Sequence, residues 1–448
     1  MIRRGHSLGA LGFTVAGLMA AAVALSAQQT DPLTAADAAA RDILAGSRIA
    51  VPARPDIPGS PLAALKPGDW GTYLSYLESA TGTKSAGKNS IEFFVDKQII
   101  APATAAVNGA KASIHIEVYQ FQADQVGQAF AQMLADKAVQ GVRVRLLLDA
   151  FGSKTNHPAV QKLIGFMRQK GVAVLVRPNP VLDGHLDHRK VMVIDGTIGF
   201  TGGMNIGAHY QEEWHDQQTL LQGPAVAKLQ EAFLSQWNAV GGTVAASEDL
   251  FPALAPQPDG YETRVVAHLG GDQDENIKLA YLGAITTAQK LIHIADPYLA
   301  DADIIAALEA AARRGVQVKV ELPAVNNEKI VQCAARGYYP DMIAAGVQVY
   351  EYPGRMAHEK VAVMDDFWTT FGSSNLDARS LKNNDELNVI VTDARFAAVV
   401  ESALFDPDFK QCKRILHYTP TPADIAARAE SGVLVPSPED VPGLVEKS

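Results

Sequence analysis

The feature that most constrains this chain is that much of it occurs twice. "AKASIHIEVY" (Ala110–Tyr119) resembles "AQKLIHIADPY" (Ala288–Tyr298), and each reads as a buried strand. "KAVQGVRVRLLLD", ending at Asp149, resembles "AARRGVQVKVELP", ending at Pro323; in each, an Ala-rich helix stops at a glycine (Gly141, Gly315) and a strand follows. "QKGVAVLVRP" (Gln169–Pro178) and "AAGVQVYEYP" (Ala344–Pro353) repeat that step. Alternating strands and helices predict an α/β protein of two lobes related by a pseudo-twofold axis. Each lobe is expected to hold a mostly parallel sheet flanked by helices.

The repeats set the boundaries. Lobe one is expected over 91–245 and lobe two over 260–418, with a Ser-, Gly- and Pro-containing linker between. Residues 28–90, rich in Ala, Pro, Gly and Ser, read as an extension with a short helix near Leu33–Leu44. Residues 419–448 read as a Pro-rich, loosely held tail. The opening "MIRRGHSLGALGFTVAGLMAAAVALSAQQ" has a basic start, an apolar run and small residues after it. It reads as a secretory signal over 1–27, with an uncleaved anchor as the alternative. The expected location is therefore periplasmic or secreted. Cys333 and Cys412 are free to pair or to stay apart.

The second repeat carries chemistry. "HRKVMVIDGTIGFTGGMN" (His188–Asn205) is matched by "HEKVAVMDDFWTTFGSSN" (His358–Asn375). His188, Lys190, Asp195, Gly202 and Asn205 stand 170 positions before His358, Lys360, Asp365, Gly372 and Asn375 (358 − 188). In a strand, residues two apart share a face, so each His and Lys project together. Asp195 sits at a tight turn, where its carboxylate is expected to tie down backbone, as is Asp365. Gly202-Gly203, and Gly372-Ser373 in the second copy, are expected to let backbone N–H groups approach an anion. Two lobes then offer two imidazoles, two ammoniums and two amides to one tetrahedral phosphorus, with the active site at the lobe interface. Asp216 follows the first His by 28 positions and Glu386 follows the second by 28. A carboxylate at the same offset in both copies is what an orienting partner for the imidazoles looks like.

These residues resemble the signature of the phospholipase D superfamily, H-x-K-x4-D-x6-G-[GS]-x-N, present twice. "HRKVMVIDGTIGFTGGMNIGAHY", "GSSNLDARSLKNNDELNV" and "ADPYLADADIIAALEAAARRGVQV" resemble the bacterial cardiolipin synthase branch, from about Ile91 to Phe409. The resemblance implies an exported phosphatidyltransferase or phosphodiesterase acting on phospholipid through a phosphohistidine, with His188 as nucleophile and His358 as acid and base. That branch opens with two membrane-spanning helices, whereas this chain opens with one signal-like stretch.

The net charge of −10 disfavours the nearest alternative, a nuclease, which needs a basic face. A catalytically dead membrane-binding module is the other alternative, and decay would have damaged one of the two motifs. His185, His188, His209 and His215 make a weak zinc pattern with no cysteine beside it, so neither metal nor cofactor is expected. Tyr119, Phe121 and Tyr298 are candidates for the cleft entrance, Arg379 and Ser380 for headgroup contacts, and Trp214 for the core.

Overall fold

The computed structural model describes residues 61–178, 185–270 and 274–431. The signal-like stretch, the helix expected near Leu33–Leu44 and the last part of the tail lie outside the described residues.

Lobe one is built from β1 (Lys88–Val95), β2 (Ser113–Val118), β3 (Arg143–Asp149), β4 (Ala173–Arg177), β5 (Lys190–Ile194), β6 (Ile198–Gly202) and β7 (Gln217–Gln222). Lobe two repeats it with β8 (Tyr261–His268), β9 (Leu291–Ala295), β10 (Gln317–Pro323), β11 (Gln348–Tyr352), β12 (Val361–Met364), β13 (Trp368–Gly372) and β14 (Glu386–Thr392). The spatial orders are the same, β4-β3-β2-β5-β6-β7-β1 and β11-β10-β9-β12-β13-β14-β8. The two sheets meet where β1 pairs with β8, Lys88 opposite Glu262 and Asn89 opposite Tyr261. A short β15 (Lys413–Ile415) adds an antiparallel edge to β11.

Parallel pairing is confined to β2-β3-β4 and β9-β10-β11, where helices such as Gln125–Val139 and Ala302–Arg313 provide the crossovers. The rest of each sheet is antiparallel, so the sheets are mixed where mostly parallel ones were expected. The cause is local. A β-turn closed by Thr197 N–H to Ile194 O (3.0 Å), and by Phe367 N–H to Met364 O (3.1 Å) in the second lobe, leaves three residues between β5 and β6 and between β12 and β13, and such a turn can only reverse the chain. Its central residues have positive φ: Asp195 (52°) with Gly196 (63°), and Asp365 with Asp366 (both 54°).

Alternation along these strands does two jobs. Val191, Val193, Val361 and Val363 share one apolar cluster with Leu221, Phe371 and Val389, so side chains of both lobes form a common core. The opposite phase of the same strands carries the His and Lys positions toward the site.

Two expected appendages are built into lobe two. Helix Trp70–Thr81, capped by Asp69 and closed by Gly82, buries Tyr73 and Leu77. Tyr73 Oη accepts a 2.9 Å hydrogen bond from Trp368 Nε1. Over residues 419–431 the chain is not loosely held as expected. Thr421 and Asp424 form a capping box that starts helix Pro422–Glu430, which packs against helix Lys329–Ala345. Gly337 permits the close approach: a Cβ there would lie 2.6 Å from Asp424 O. Cys333 and Cys412 stand as separate thiols.

Candidate active site

His188 lies just before β5 and Lys190 opens it; His358 and Lys360 stand at the corresponding place before β12. Each lysine donates back to the carbonyl oxygen of its own histidine, Lys190 Nζ to His188 O and Lys360 Nζ to His358 O, the latter at 2.6 Å. That bond folds each ammonium beside the imidazole two residues before it.

The segments entering the motif strands pair across the lobes. His188 N–H donates to Asp385 O (3.0 Å), and Asp385 N–H donates to Leu186 O (2.8 Å). In the same way His358 N–H donates to His215 O (2.6 Å), and His215 N–H to Met356 O (2.8 Å). Each histidine is thereby laid beside the residue that precedes the other lobe's carboxylate. The carboxylates are accordingly exchanged. His188 Nδ1 meets Glu386 Oε1 at 2.9 Å, and His358 Nδ1 meets Asp216 Oδ2 at 2.7 Å. An Nδ1–H donated to a carboxylate leaves Nε2 of each ring to face the cleft.

The two carboxylates are held differently. Glu386 also accepts from Ser373 Oγ (2.5 Å) and Ser380 Oγ (2.8 Å). Burial opposes its charge, but His188, Lys190 and Ser373 hold it below the usual carboxylate range. Among the described residues the Asp216 carboxylate accepts only from His358 and from Gln217 N–H (2.8 Å). Burial pushes it up to about 8, with Glu359 adding to the rise against the pull of Lys360. Position 203 explains the difference. Lobe one has Gly203 where lobe two has the hydroxyl of Ser373, and a Cβ on Gly203 would lie 2.2 Å from Asp216 Oδ1.

Burial also drives the two imidazoles toward neutrality, His188 to about 4 and His358 well below the ordinary imidazole value, with Lys360 and Lys190 adding to the fall. Lys190 is pushed down to about 7 by burial with Lys360 adding to the fall, and Lys360 is lowered as well. Two ammoniums crowded out of water favour a bound anion, which would restore their charge.

The glycine pairs do something other than expected. Gly203 N–H is committed to Gln217 O and Ser373 N–H to Leu387 O, both at 3.0 Å, so neither is free for an anion. Gly202 and Gly372 are glycines because β7 and β14 pass too close. Added Cβ atoms would fall 1.9 Å from Gln218 Oε1 and 2.3 Å from Leu387 O. Asn205 Oδ1 accepts from Gln120 N–H (3.0 Å), and the Asn205 side chain also bonds the Tyr210 hydroxyl, which lines the cleft. Asn375 Nδ2 reaches Ser380 Oγ at 3.3 Å. Asp195 accepts from the backbone N–H groups of Lys111, Ala112 and Ser113, and Asp365 from those of Gln289, Lys290 and Leu291. These two carboxylates lie at the far turns, away from the cleft.

One cleft of about 180 Å³ is lined by both histidines and both asparagines. Tyr119 and Tyr298 line it as well, the Tyr119 ring centroid 4.8 Å from that of His188. Phe121 is instead a core residue. Trp214, expected in the core, lines the cleft with its ring 4.9 Å from His358. Tyr210, also lining the cleft, was not legible in the sequence, nor was the wall formed by Ile330, Val331, Ala334 and Ala427. Arg379 reaches the cleft, while Ser380, also there, is committed to Glu386. His185 is bound to Asp385, and His209 packs on Tyr210 and Trp214; neither joins a metal-binding group among the described residues.

The family described as "Cardiolipin synthase, PLD-like domain" matches residues 104–237 and 281–406, the two lobes in turn. The chain is 34% identical over 324 residues to the probable cardiolipin synthase YwiE of Bacillus subtilis, covering 69% of this chain and 64% of that protein. It is 38% identical over 304 residues to a cardiolipin synthase of Geobacillus kaustophilus, covering 64% and 59%. With cardiolipin synthase A of Pseudomonas aeruginosa it shares 32% over 364 residues, covering 78% and 72%. The chain thus spans about three fifths of the first two relatives. In fold it is similar to the phosphatidylserine synthase of Haemophilus influenzae, with a TM-score of 0.65 at 14% identity over 81% of this chain and all of that one. With both lobes matched in order and both motifs whole, the chain belongs to the cardiolipin synthase family of phospholipase D-like proteins.

Proposed function

We propose that this chain is an exported phosphatidyltransferase that works on phospholipid at a membrane surface through a phosphohistidine. The observation that carries this reading is the crossed pairing of two imidazoles that line one cleft with two buried carboxylates, each imidazole followed two residues on by a buried lysine. The apolar wall of Ile330, Val331, Ala334 and Ala427 beside that polar centre suits the glycerol backbone of a lipid.

The asymmetry of the carboxylates supports a division of labour. His188, neutral and tied through Nδ1 to ionised Glu386, keeps an Nε2 lone pair for attack on phosphorus. The His358–Asp216 pair keeps one proton more below about pH 8, since burial holds that proton on the pair. Attack by His188 forms the N–P bond as the P–O bond to the leaving alcohol breaks, and His358 supplies the proton that the alcohol takes away. Lys190, Lys360, Asn205 and Asn375 stabilise the charge on the non-bridging oxygens. A second lipid's headgroup hydroxyl then gives its proton to His358, attacks phosphorus and frees His188.

Incubation of the full chain with phosphatidylglycerol vesicles, followed by separation of the lipids, tests the proposal. Cardiolipin together with free glycerol is the expected result. Phosphatidic acid as the sole product would replace transfer by hydrolysis, and unchanged lipid would overturn the lipid reading.

A further inference from the structure

Behind the His358–Asp216 pair lies a buried group that the proposed chemistry does not use. Glu359 follows His358 on the same stretch and so points the other way; His215 precedes Asp216. His215 Nε2 lies 2.9 Å from Glu359 Oε1 and 2.9 Å from Asp408 Oδ2. Its Nδ1 lies 2.9 Å from Asp96 Oδ1, and Asp96 is itself clamped by Arg355 at 2.6 Å. Burial opposes a charge on His215, but Glu359, Asp408 and Asp96 around the ring favour its doubly protonated form, with Arg355 Nη2 also 3.0 Å from Nδ1. A cation bound at Nε2 would take the place of that nitrogen's proton between the two carboxylates. The other oxygen of Asp408 is fixed by Gln411 Nε2 at 3.0 Å.

A second observation points to a missing cation. Glu321, 1% exposed on β10, has His215, Glu359 and Asp408 among its charged neighbours. Neither of its carboxylate oxygens finds a hydrogen-bond donor within bonding distance among the described residues, and the Cys412 thiol beside it is a weak one.

The first lobe shows what such a pocket needs. The residue equivalent to Glu359 there is Arg189, 170 positions earlier. Its buried guanidinium sits 2.8 Å from Glu117 and 3.5 Å from Asp187. Lobe one neutralises its buried carboxylates with a side chain. Lobe two has a carboxylate in that side chain's place.

We infer that lobe two binds one divalent transition-metal ion in this pocket, with His215 Nε2, Glu359 and Asp408 as ligands and Glu321 beside them. The three ligand atoms lie within 4.8 Å of one another, and an imidazole whose other nitrogen is held by a carboxylate is the usual form of a metal-binding histidine. One nitrogen with several carboxylate oxygens suits Zn²⁺ or Mn²⁺ better than Mg²⁺ or Ca²⁺, which take oxygen-only sites. His215 belongs to lobe one and the carboxylates to lobe two, so the ion would pin the interface one residue away from both His358 and Asp216. Its role is structural, distinct from the chemistry at phosphorus, for which the sequence suggested no metal.

The test uses the full chain, stripped with a chelator, desalted and titrated with Zn²⁺ or Mn²⁺. One equivalent should stay bound through a second desalting, and Tm should rise by about 3 °C at a hundredfold excess over Kd. Mg²⁺ should do neither. Glu359→Gln and Asp408→Asn should each weaken binding at least about tenfold. Without metal, Glu359→Gln should be as stable as the parent or more so, because it relieves carboxylate crowding. A parent chain that retains no metal and shows no shift overturns the inference, whatever the variants do. So do folded variants that bind as tightly as the parent.

Discussion

His188 of the first lobe is oriented by Glu386 of the second, Nδ1 to Oε1 at 2.9 Å, and the reciprocal bond joins His358 to Asp216. Neither lobe therefore contains a complete imidazole–carboxylate unit. The exchange is imposed by backbone pairing, because Asp385 lies against Asp187 and His215 against Ala357. Duplication here made one site, not two.

That geometry sets the effect of removing each partner. His188→Ala and His358→Ala should each abolish turnover, since one removes the nucleophile and the other the proton donor. Glu386→Gln should lower kcat by about a hundred- to a thousandfold while leaving the fold intact, because an amide holds the ring but no longer selects its tautomer. Steady-state assays with circular dichroism on the same samples check this. Near-parental rates in either histidine variant would end the paired mechanism.

The pH profile should be bell-shaped in kcat/KM. On the acid side, protonation of His188 near its lowered value of about 4 removes the nucleophile. On the alkaline side, the His358–Asp216 pair loses its extra proton near 8 and Lys190 loses its charge near 7, so activity falls as pH rises through that range. Asp216→Asn should remove the component near 8 and leave the acid limb in place. An alkaline limb unchanged in that variant would separate Asp216 from the reaction.

Much of this was legible in the sequence, and the reasons are physical. The repeat and the His-x-Lys spacing are local patterns, and alternation on a strand converts them directly into a shared face. Offset along the chain placed Asp216 and Glu386, yet it carries no information about which lobe each would face. The glycines of the motif were legible as small, but their reason, the crowding of β7 and β14, depends on strands paired from elsewhere. Pro-rich composition hid the capping box Thr421-x-x-Asp424, and with it a wall of the cleft. Glu359 looked like the variable residue between His and Lys; only the fold puts it against His215 and Asp408.

Asp195 should prove a stability residue. Its carboxylate accepts three backbone N–H groups in a row, from Lys111, Ala112 and Ser113 at 2.7–2.8 Å, and so fixes the entry to β2. Asp195→Ala removes these three bonds, two of them open to water, and should cost about 1–2 kcal/mol in chemical denaturation, with little change in the activity of the folded fraction. A large loss of kcat at parental stability would place Asp195 in the reaction instead.

Gly337→Ala tests the wall made by the C-terminal helix. In an exposed helix this change stabilises by about 1 kcal/mol, because alanine loses less backbone entropy. Here the new Cβ would lie 2.6 Å from Asp424 O and 2.8 Å from Arg428 Cβ, so helix Pro422–Glu430 must shift outward. Arg428 would then lose its 2.9 Å bond to Gly337 O, and Ala427, Glu430 and Ser431 would withdraw from the cleft. These residues touch the cleft wall and not the reacting atoms, so substrate and transition state should lose binding equally. KM should rise several-fold while kcat stays within about twofold, and proteolysis near Arg428 should quicken. Unchanged KM with unchanged proteolysis would show that the helix adapts without leaving the cleft, and a fall in kcat alone would mean that it bears on the catalytic pair.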